Sequence, residues 1–122
     1  MRKLLIVDDS MIIRMSLEKI LVDLKLDLVG SAGDGKTALK MFHEFQPDIV
    51  TLDITMPEMS GLEVLDEMMR VAPQTRVLII SAISEKSVAI QALQKGAKAF
   101  IQKPYQPVEI IGQIRKLVED LG

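Results

Sequence analysis

The chemistry of this chain is expected at polar residues that directly follow short aliphatic runs. The clearest of them is Asp53, which ends the run Asp48-Ile49-Val50-Thr51-Leu52-Asp53. Four apolar or β-branched residues in a row predict a strand that is buried on both faces. A carboxylate at the carboxyl end of such a strand lies where open α/β sheets bind their ligands. The other residues in comparable positions are Asp8, Asp9, Ser81 and Lys103.

Together these residues predict a phosphoryl-transfer site. The carboxyl ends of parallel strands meet at one edge of a sheet, so we expect the three carboxylates, the lysine and the hydroxyl to be neighbours. Carboxylates this close repel one another unless a cation intervenes, and Mg²⁺ suits a cluster of oxygen ligands. Lys103 offers a positive charge for an anion, and Ser81 offers a hydroxyl donor. Asp53 is then the candidate nucleophile that forms an aspartyl-phosphate.

Aliphatic runs alternate with amphipathic segments along the chain and predict the scaffold of the site. The predicted strands are Leu4–Val7, Leu26–Val29, Asp48–Asp53, Val77–Ile80 and Ala99–Ile101. A helix is predicted after each strand, with Ser10, Asp34 and Ser60 as N-caps and Pro107 at the first position of the last helix. Five strand–helix repeats predict an α/β fold, a parallel sheet with helices on both faces. The second and fifth strands are the least aliphatic, and we expect them at the edges.

Helical periodicity also predicts which side chains of the helices face the sheet. In the third helix the predicted inner residues are Leu62, Leu65 and Met69. In the last helix they are Ile111, Ile114, Val118 and Leu121.

Composition restricts the class of protein. The chain has 122 residues, 48% of them hydrophobic, and predicts one globular domain over residues 1–122. No apolar run approaches the roughly 20 residues of a membrane helix. A net charge of −2 with one tyrosine and three phenylalanines gives no surface for direct nucleic-acid binding. Without cysteine there is neither a disulfide framework nor a thiolate metal site, and we expect a cytoplasmic location.

The combination of motifs resembles the receiver domains of bacterial two-component response regulators, most of all their stand-alone chemotaxis type. The matching segments span nearly the whole chain: Val7-Asp8-Asp9-Ser10, Pro47–Asp53, Met56-Pro57-x-Met59-x-Gly61, Ser81-Ala82 and Lys103-Pro104. This resemblance implies a flavodoxin-like, doubly wound sheet with strand order 2-1-3-4-5. It also implies that the Lys103–Pro104 peptide bond is cis.

The resemblance implies a role for each acidic residue. Asp53 would be the phosphoacceptor. Asp9, Asp53 and the backbone carbonyl of Thr55 would ligate Mg²⁺, and Asp8 would support the ion through water.

The resemblance also implies a signalling mechanism. A histidine kinase would supply the phosphoryl group, Lys103 would contact it, and Ser81 would report its presence. Phe100 falls where the family carries a switch aromatic, without the hydroxyl of the frequent tyrosine. The domain would catalyse only its own phosphoryl uptake and autodephosphorylation. Its output would be protein–protein contact through the fourth helix, fifth strand and fifth helix, without a membrane or nucleic acid as direct partner.

Three other interpretations remain open at this point. Gly30–Thr37 matches the phosphate-loop pattern G-x-x-x-x-G-K-[ST], which predicts a small P-loop nucleotide-binding protein but leaves the Asp8–Asp9 pair unexplained. A phosphatase with an Asp nucleophile would need a second acid two residues after Asp53, where Thr55 stands. A phosphorylation-independent scaffold is not favoured, because every predicted site position is retained.

Overall fold

The computed structural model describes residues 1–122 and contains one five-stranded sheet. The strands are β1 (Lys3–Val7), β2 (Asp27–Ala32), β3 (Ile49–Leu52), β4 (Arg76–Ser81) and β5 (Ala99–Gln102). All neighbouring strands are parallel, in the order β2-β1-β3-β4-β5. This confirms the predicted order and places the two least aliphatic strands at the edges. The Lys103–Pro104 bond is cis, as the resemblance implied.

Five α-helices connect and follow the strands. They are α1 (Met11–Leu21), α2 (Gly35–Phe45), α3 (Gly61–Val71), α4 (Lys86–Gln94) and α5 (Pro107–Leu121). The predicted caps are confirmed: Ser10 accepts from the Ile13 N–H, Asp34 from the Thr37 N–H, and Ser60 from the Leu62 N–H. No helix combines the length and the hydrophobicity that a membrane span requires.

The sheet separates two apolar cores. Helices α2, α3 and α4 pack on one face, where alternate strand residues such as Val50 and Leu52 are fully buried. Helices α1 and α5 cover the other face, over residues such as Ile49 and Leu78. The central strands β1, β3 and β4 are therefore buried on both faces, which explains their continuous aliphatic runs.

The predicted inner faces of α3 and α5 are only partly right. The buried residues of α3 are Val64, Leu65 and Met68, and those of α5 are Ile110, Ile114 and Leu117. The predicted Leu62, Met69, Val118 and Leu121 are only partly buried and pack at the margins of the cores. Ile111 is also only partly buried. Consecutive residues are about 100° apart around a helix. When the apolar stripe is wide, the sequence therefore does not determine which of its residues face the sheet most directly.

Thr51 carries a buried hydroxyl without a hydrogen-bond partner. It lies in β3 between Ile6 and Leu78 of the neighbouring strands, with 1% of its surface exposed. Replacing that hydroxyl by a methyl group of the same shape removes an unpaid desolvation penalty. We expect Thr51→Val to raise the free energy of unfolding in urea by about 1–2 kcal/mol. Thr51→Ala, which also leaves a cavity, should gain less, and a valine variant less stable than wild type would contradict the expectation.

Candidate phosphoryl and metal site

The carboxyl edge of the sheet brings the predicted site residues together. Asp8 directly follows β1, Asp53 follows β3, Ser81 ends β4 and Lys103 follows β5. Backbone hydrogen bonds continue past the strands: the Asp53 N–H donates to Val7 O at 3.0 Å, and the Lys103 N–H donates to Ser81 O at 2.8 Å. The residues that bear the functional groups are therefore fixed by the sheet itself.

Three carboxylates form the acidic part of the site. One oxygen from each of Asp8, Asp9 and Asp53 lies within 4.8 Å of the other two. Asp8 and Asp53 are almost completely buried, whereas Asp9 is exposed. The cluster thus opens to solvent on the Asp9 side.

Lys103 is the cation of the site. Its Nζ donates to Asp8 Oδ2 at 2.7 Å and lies 3.4 Å from Asp53 Oδ2. Burial alone would lower the pKa of Lys103, but the hydrogen bond to Asp8 and the charges of both carboxylates outweigh it and raise the pKa. Lys103 therefore stays charged, and it is held more closely by Asp8 than by Asp53.

Asp53 is only partly compensated by its neighbours. Burial raises the pKa of its carboxyl group, and the charge of Asp8 adds to that effect. The Lys103 ammonium and the Thr55 N–H, which donates to Asp53 Oδ1 at 3.1 Å, act in the opposite direction without cancelling it. One ammonium faces three carboxylates, so the donor set fits an additional hard cation with oxygen ligands.

Ser81 and Phe100 belong to β4 and β5, the neighbouring strands whose carboxyl ends face the site. Ser81 is fully buried, and its Oγ accepts from the Ile83 N–H at 3.3 Å, so the hydroxyl is tied to the loop after β4. Phe100 is half-buried and packs against the core under α4, as Ile83 and Val88 do. The loop after β4 and the ring of Phe100 thus contact the same core.

Gly61, in the turn between β3 and α3, packs closely against the backbone of Asp53 and Ile54. Its N–H donates to Ile54 O at 2.8 Å. A Cβ atom at this position would lie 2.2 Å from Asp53 O and 2.5 Å from Ile54 Cα. The family motif includes this glycine without explaining it. The structure shows that any larger residue would clash with the backbone of Asp53 and Ile54.

The phosphate-loop pattern Gly30–Thr37 does not form a phosphate loop. Gly30, Ser31 and Ala32 belong to strand β2. The Asp34 carboxylate accepts hydrogen bonds from the Thr37 N–H at 2.8 Å and from the Thr37 hydroxyl at 3.0 Å. The segment is an edge strand followed by a capped helix, and the P-loop interpretation is not supported.

Sequence reasoning missed one basic residue of the site. Arg14 of α1 donates from Nη1 to the backbone carbonyl of Asp8 at 2.6 Å. An arginine on the first turn of a helix is an ordinary surface residue in a sequence, and no pattern distinguished it.

Comparison with known proteins decides the family. The model of the response regulator receiver domain matches residues 4–115. The chain belongs to this family. Receiver domains bind Mg²⁺ through an acidic pocket, and Asp8, Asp9 and Asp53 form such a cluster here.

Single-domain chemotaxis proteins are among the similar sequences. The chain is 38% identical to the chemotaxis protein CheY of Thermotoga maritima, over 95% of this chain and 97% of that protein. It is 44% identical to CheY of Listeria monocytogenes, over 95% of this chain and 98% of that protein. This receiver domain is therefore CheY-like, and it belongs to the two-component signalling proteins.

A similar fold is found in a solved complex. The CheX–CheY–BeF₃–Mg²⁺ complex from Borrelia burgdorferi contains a chain with a TM-score of 0.92 and 34% identity to this one. The match covers 96% of this chain and 89% of that chain. It confirms the flavodoxin-like receiver fold.

Proposed function

We propose that this receiver domain is a phosphorylation switch in which Asp53 accepts a phosphoryl group from the phosphohistidine of a histidine kinase. The observation that carries the proposal is the buried Asp53 carboxylate, 3.4 Å from the Lys103 ammonium and grouped with Asp8 and Asp9. Phosphate incorporation into wild type and into an Asp53 variant tests it. A P-loop nucleotide-binding protein and a phosphorylation-independent scaffold have no comparable support.

Phosphoryl transfer from the kinase forms one bond at Asp53 and breaks one bond in phosphohistidine. An Asp53 carboxylate oxygen attacks phosphorus, a P–O bond forms, and the P–N bond of phosphohistidine breaks. The bonding electron pair goes to the imidazole, which takes up a proton from solvent. Hydrolysis of the aspartyl-phosphate by water later restores the carboxylate, so the domain processes only the phosphoryl group that it carries itself.

The side chains around Asp53 contribute charge and orientation. Lys103 can exchange part of its contact with Asp8 for a contact with the phosphoryl oxygens, because its Nζ already lies between the two carboxylates. Asp9, Asp53 and the backbone carbonyl of Thr55 would hold Mg²⁺, with Asp8 supporting it through water. When bound, Mg²⁺ supplies neutralisation of the charge that gathers on the carboxylate and phosphoryl oxygens.

Mg²⁺ is expected to raise the melting temperature of the protein. The carboxylates of Asp8, Asp9 and Asp53 are crowded in the folded state only, so an ion bound between them stabilises that state by mass action. Thermal scans with increasing MgCl₂ should show the rise for wild type at millimolar-range concentrations, roughly what such open sites need. The shift should be much smaller for Asp9→Ala. Equal shifts in the two proteins would contradict this assignment.

Phosphorylation is expected to move Ser81 and the loop Ala82–Ser84. A phosphoryl group on Asp53 adds about −1.5 to −2 charge and new acceptor oxygens. The Ser81 hydroxyl, which now accepts from Ile83, should turn to donate to them and draw the loop inward. This vacates space beside Phe100, and because Phe100 has no hydroxyl to keep in water, its inward ring should already be populated before phosphorylation and increase afterwards.

Beryllofluoride, a phosphoryl mimic, provides the measurement of this movement. Structures or ring NMR signals of Phe100 should differ between the free and the beryllofluoride-bound protein. Ser81→Ala, which removes the donor, should bind the mimic without the loop movement. A fixed loop Ala82–Ser84 in the wild-type complex would contradict this coupling but leave Asp53 as the phosphoacceptor.

We propose that the output surface is formed by α4, β5 and α5. Receiver domains interact with kinases and downstream targets, and two of these elements carry exposed apolar side chains: Ile90 and Leu93 on α4 and Val108 on α5. Exposed apolar side chains are typical of surfaces that bind another protein, so their exposure supports a protein partner. Movement of Phe100 in β5 would change the shape of the same face.

A further inference from the structure

Arg14 acts on the backbone beside the acidic cluster. Its Nη1 donates to Asp8 O at 2.6 Å. The ion pairs within 4.0 Å are formed by Arg2, Arg70, Lys95 and Lys103, and Arg14 is not among them. A guanidinium that donates to this backbone carbonyl and pairs with no carboxylate serves chiefly to hold the carbonyl.

Gly33 provides the space for this guanidinium. A Cβ atom at Gly33 would lie 2.9 Å from Arg14 Nη1, 3.6 Å from Cζ and 3.8 Å from Nη2. Gly33 does not have the left-handed φ that would by itself favour glycine. A Cβ at this position would therefore displace the Arg14 guanidinium from its present place.

The carbonyl that Arg14 holds belongs to the peptide unit joining Asp8 to Asp9. That unit is planar, so fixing its oxygen also fixes the backbone nitrogen of Asp9. Asp8 is further held by its N–H to Ala32 O at 3.0 Å and by the Ser10 N–H to its Oδ1 at 2.9 Å. The exposed carboxylate of Asp9 has no hydrogen-bond partner of its own, so it is the position of this backbone that keeps the carboxylate within reach of Asp8 and Asp53.

We propose that Arg14, seated against Gly33, is a positioning residue for the metal site. It holds the Asp8–Asp9 peptide unit so that the Asp9 carboxylate points toward Asp8 and Asp53. This inference rests on the proposed function, since it concerns the Mg²⁺ that those carboxylates would hold. Groups that orient metal ligands without touching the metal typically change metal affinity by about 10- to 100-fold.

Calorimetric titration with Mg²⁺ tests the proposal on four proteins: wild type, Arg14→Met, Gly33→Ala and the double variant. Methionine keeps most of the apolar stem of Arg14 and removes its donors. Each single variant is expected to bind Mg²⁺ about 10-fold more weakly. The double variant should bind Mg²⁺ as tightly as Arg14→Met does, because no guanidinium remains for the new Cβ at position 33 to displace.

A matched control separates positioning from net charge. Arg115→Met, on the exposed face of α5, removes the same charge and should leave Mg²⁺ affinity unchanged. In phosphorylation assays, the Arg14→Met protein should need about 10-fold more Mg²⁺ for half-maximal uptake and reach the wild-type rate at saturation.

The outcomes that overturn the proposal are distinct from those that overturn the proposed function. Wild-type Mg²⁺ affinity in Arg14→Met, an equal loss in Arg115→Met, or losses that multiply in the double variant would each refute the positioning role. Absence of Mg²⁺ binding by the wild-type protein would instead refute the proposed function.

Discussion

Asp53→Asn is expected to abolish phosphate incorporation from a phosphorylated histidine kinase or from acetyl phosphate with Mg²⁺. The amide cannot act as the nucleophile. Asp8, the other buried carboxylate of the cluster, is held more tightly, by the Lys103 ammonium at 2.7 Å and by the Ser10 N–H at 2.9 Å. The measurement is acid-labile phosphate on the purified protein. An undiminished signal in the variant would refute the assignment of Asp53.

The loss should not come from unfolding, and the pKa of Asp53 explains why. Because burial raises that pKa, ionising the carboxyl group costs more in the folded than in the unfolded protein, and stability falls as pH rises through the raised pKa. A neutral amide removes this cost. The metal-free Asp53→Asn protein should therefore melt at or above the wild-type temperature at neutral pH. As a control for phosphorylation, Asp66→Asn on α3 should take up phosphate as the wild type does.

Gly61→Ala is expected to destabilise the protein by about 3 kcal/mol or more. The new Cβ would lie 2.2 Å from Asp53 O and 2.5 Å from Ile54 Cα, and these are backbone atoms that cannot rotate away. The loop after β3 must therefore move, and Asp53 must move with it. Urea denaturation should show the lower stability, and phosphorylation by the surviving folded fraction should be slower.

Gly112→Ala is the matched control for this substitution. It lies on the exposed face of α5 with no atom within 4 Å of the position a Cβ would take. Alanine in an exposed helix is favoured over glycine by up to about 1 kcal/mol, so this variant should be slightly more stable than wild type. Equal losses for the two variants would show that the close approach at Gly61 does not determine the effect.

Most of the fold could be predicted from strand composition. The runs in β1, β3 and β4 are continuous because both faces of these strands are buried, and the polar residues that end them identify the site edge. Asp53, Asp8 and Lys103 follow from that argument once the strands are parallel. The roles of Thr55 and Phe100 rest on family resemblance and remain predictions.

Other features had no signal in the sequence because they depend on tertiary contacts. The inner faces of α3 and α5 depend on where each helix sits on the sheet, which a wide apolar stripe does not specify. The contact of Arg14 with the Asp8 carbonyl joins helix α1 to the loop before it, and the guanidinium lies against Gly33, which is distant in sequence. The unpaired hydroxyl of Thr51 is visible only when its neighbours are known.

The burial of the central strands on both faces also affects how their register is determined. If β3 slipped by one residue against β1, aliphatic side chains would still face both cores, so hydrophobic patterning alone discriminates weakly between the two alignments. Such a slip would, however, draw Asp53 into the apolar interior or take it away from Lys103. An unpaired buried charge costs far more than a misplaced methyl group. Asp53, the proposed phosphoacceptor, therefore also favours the observed register of β3 over a shifted one.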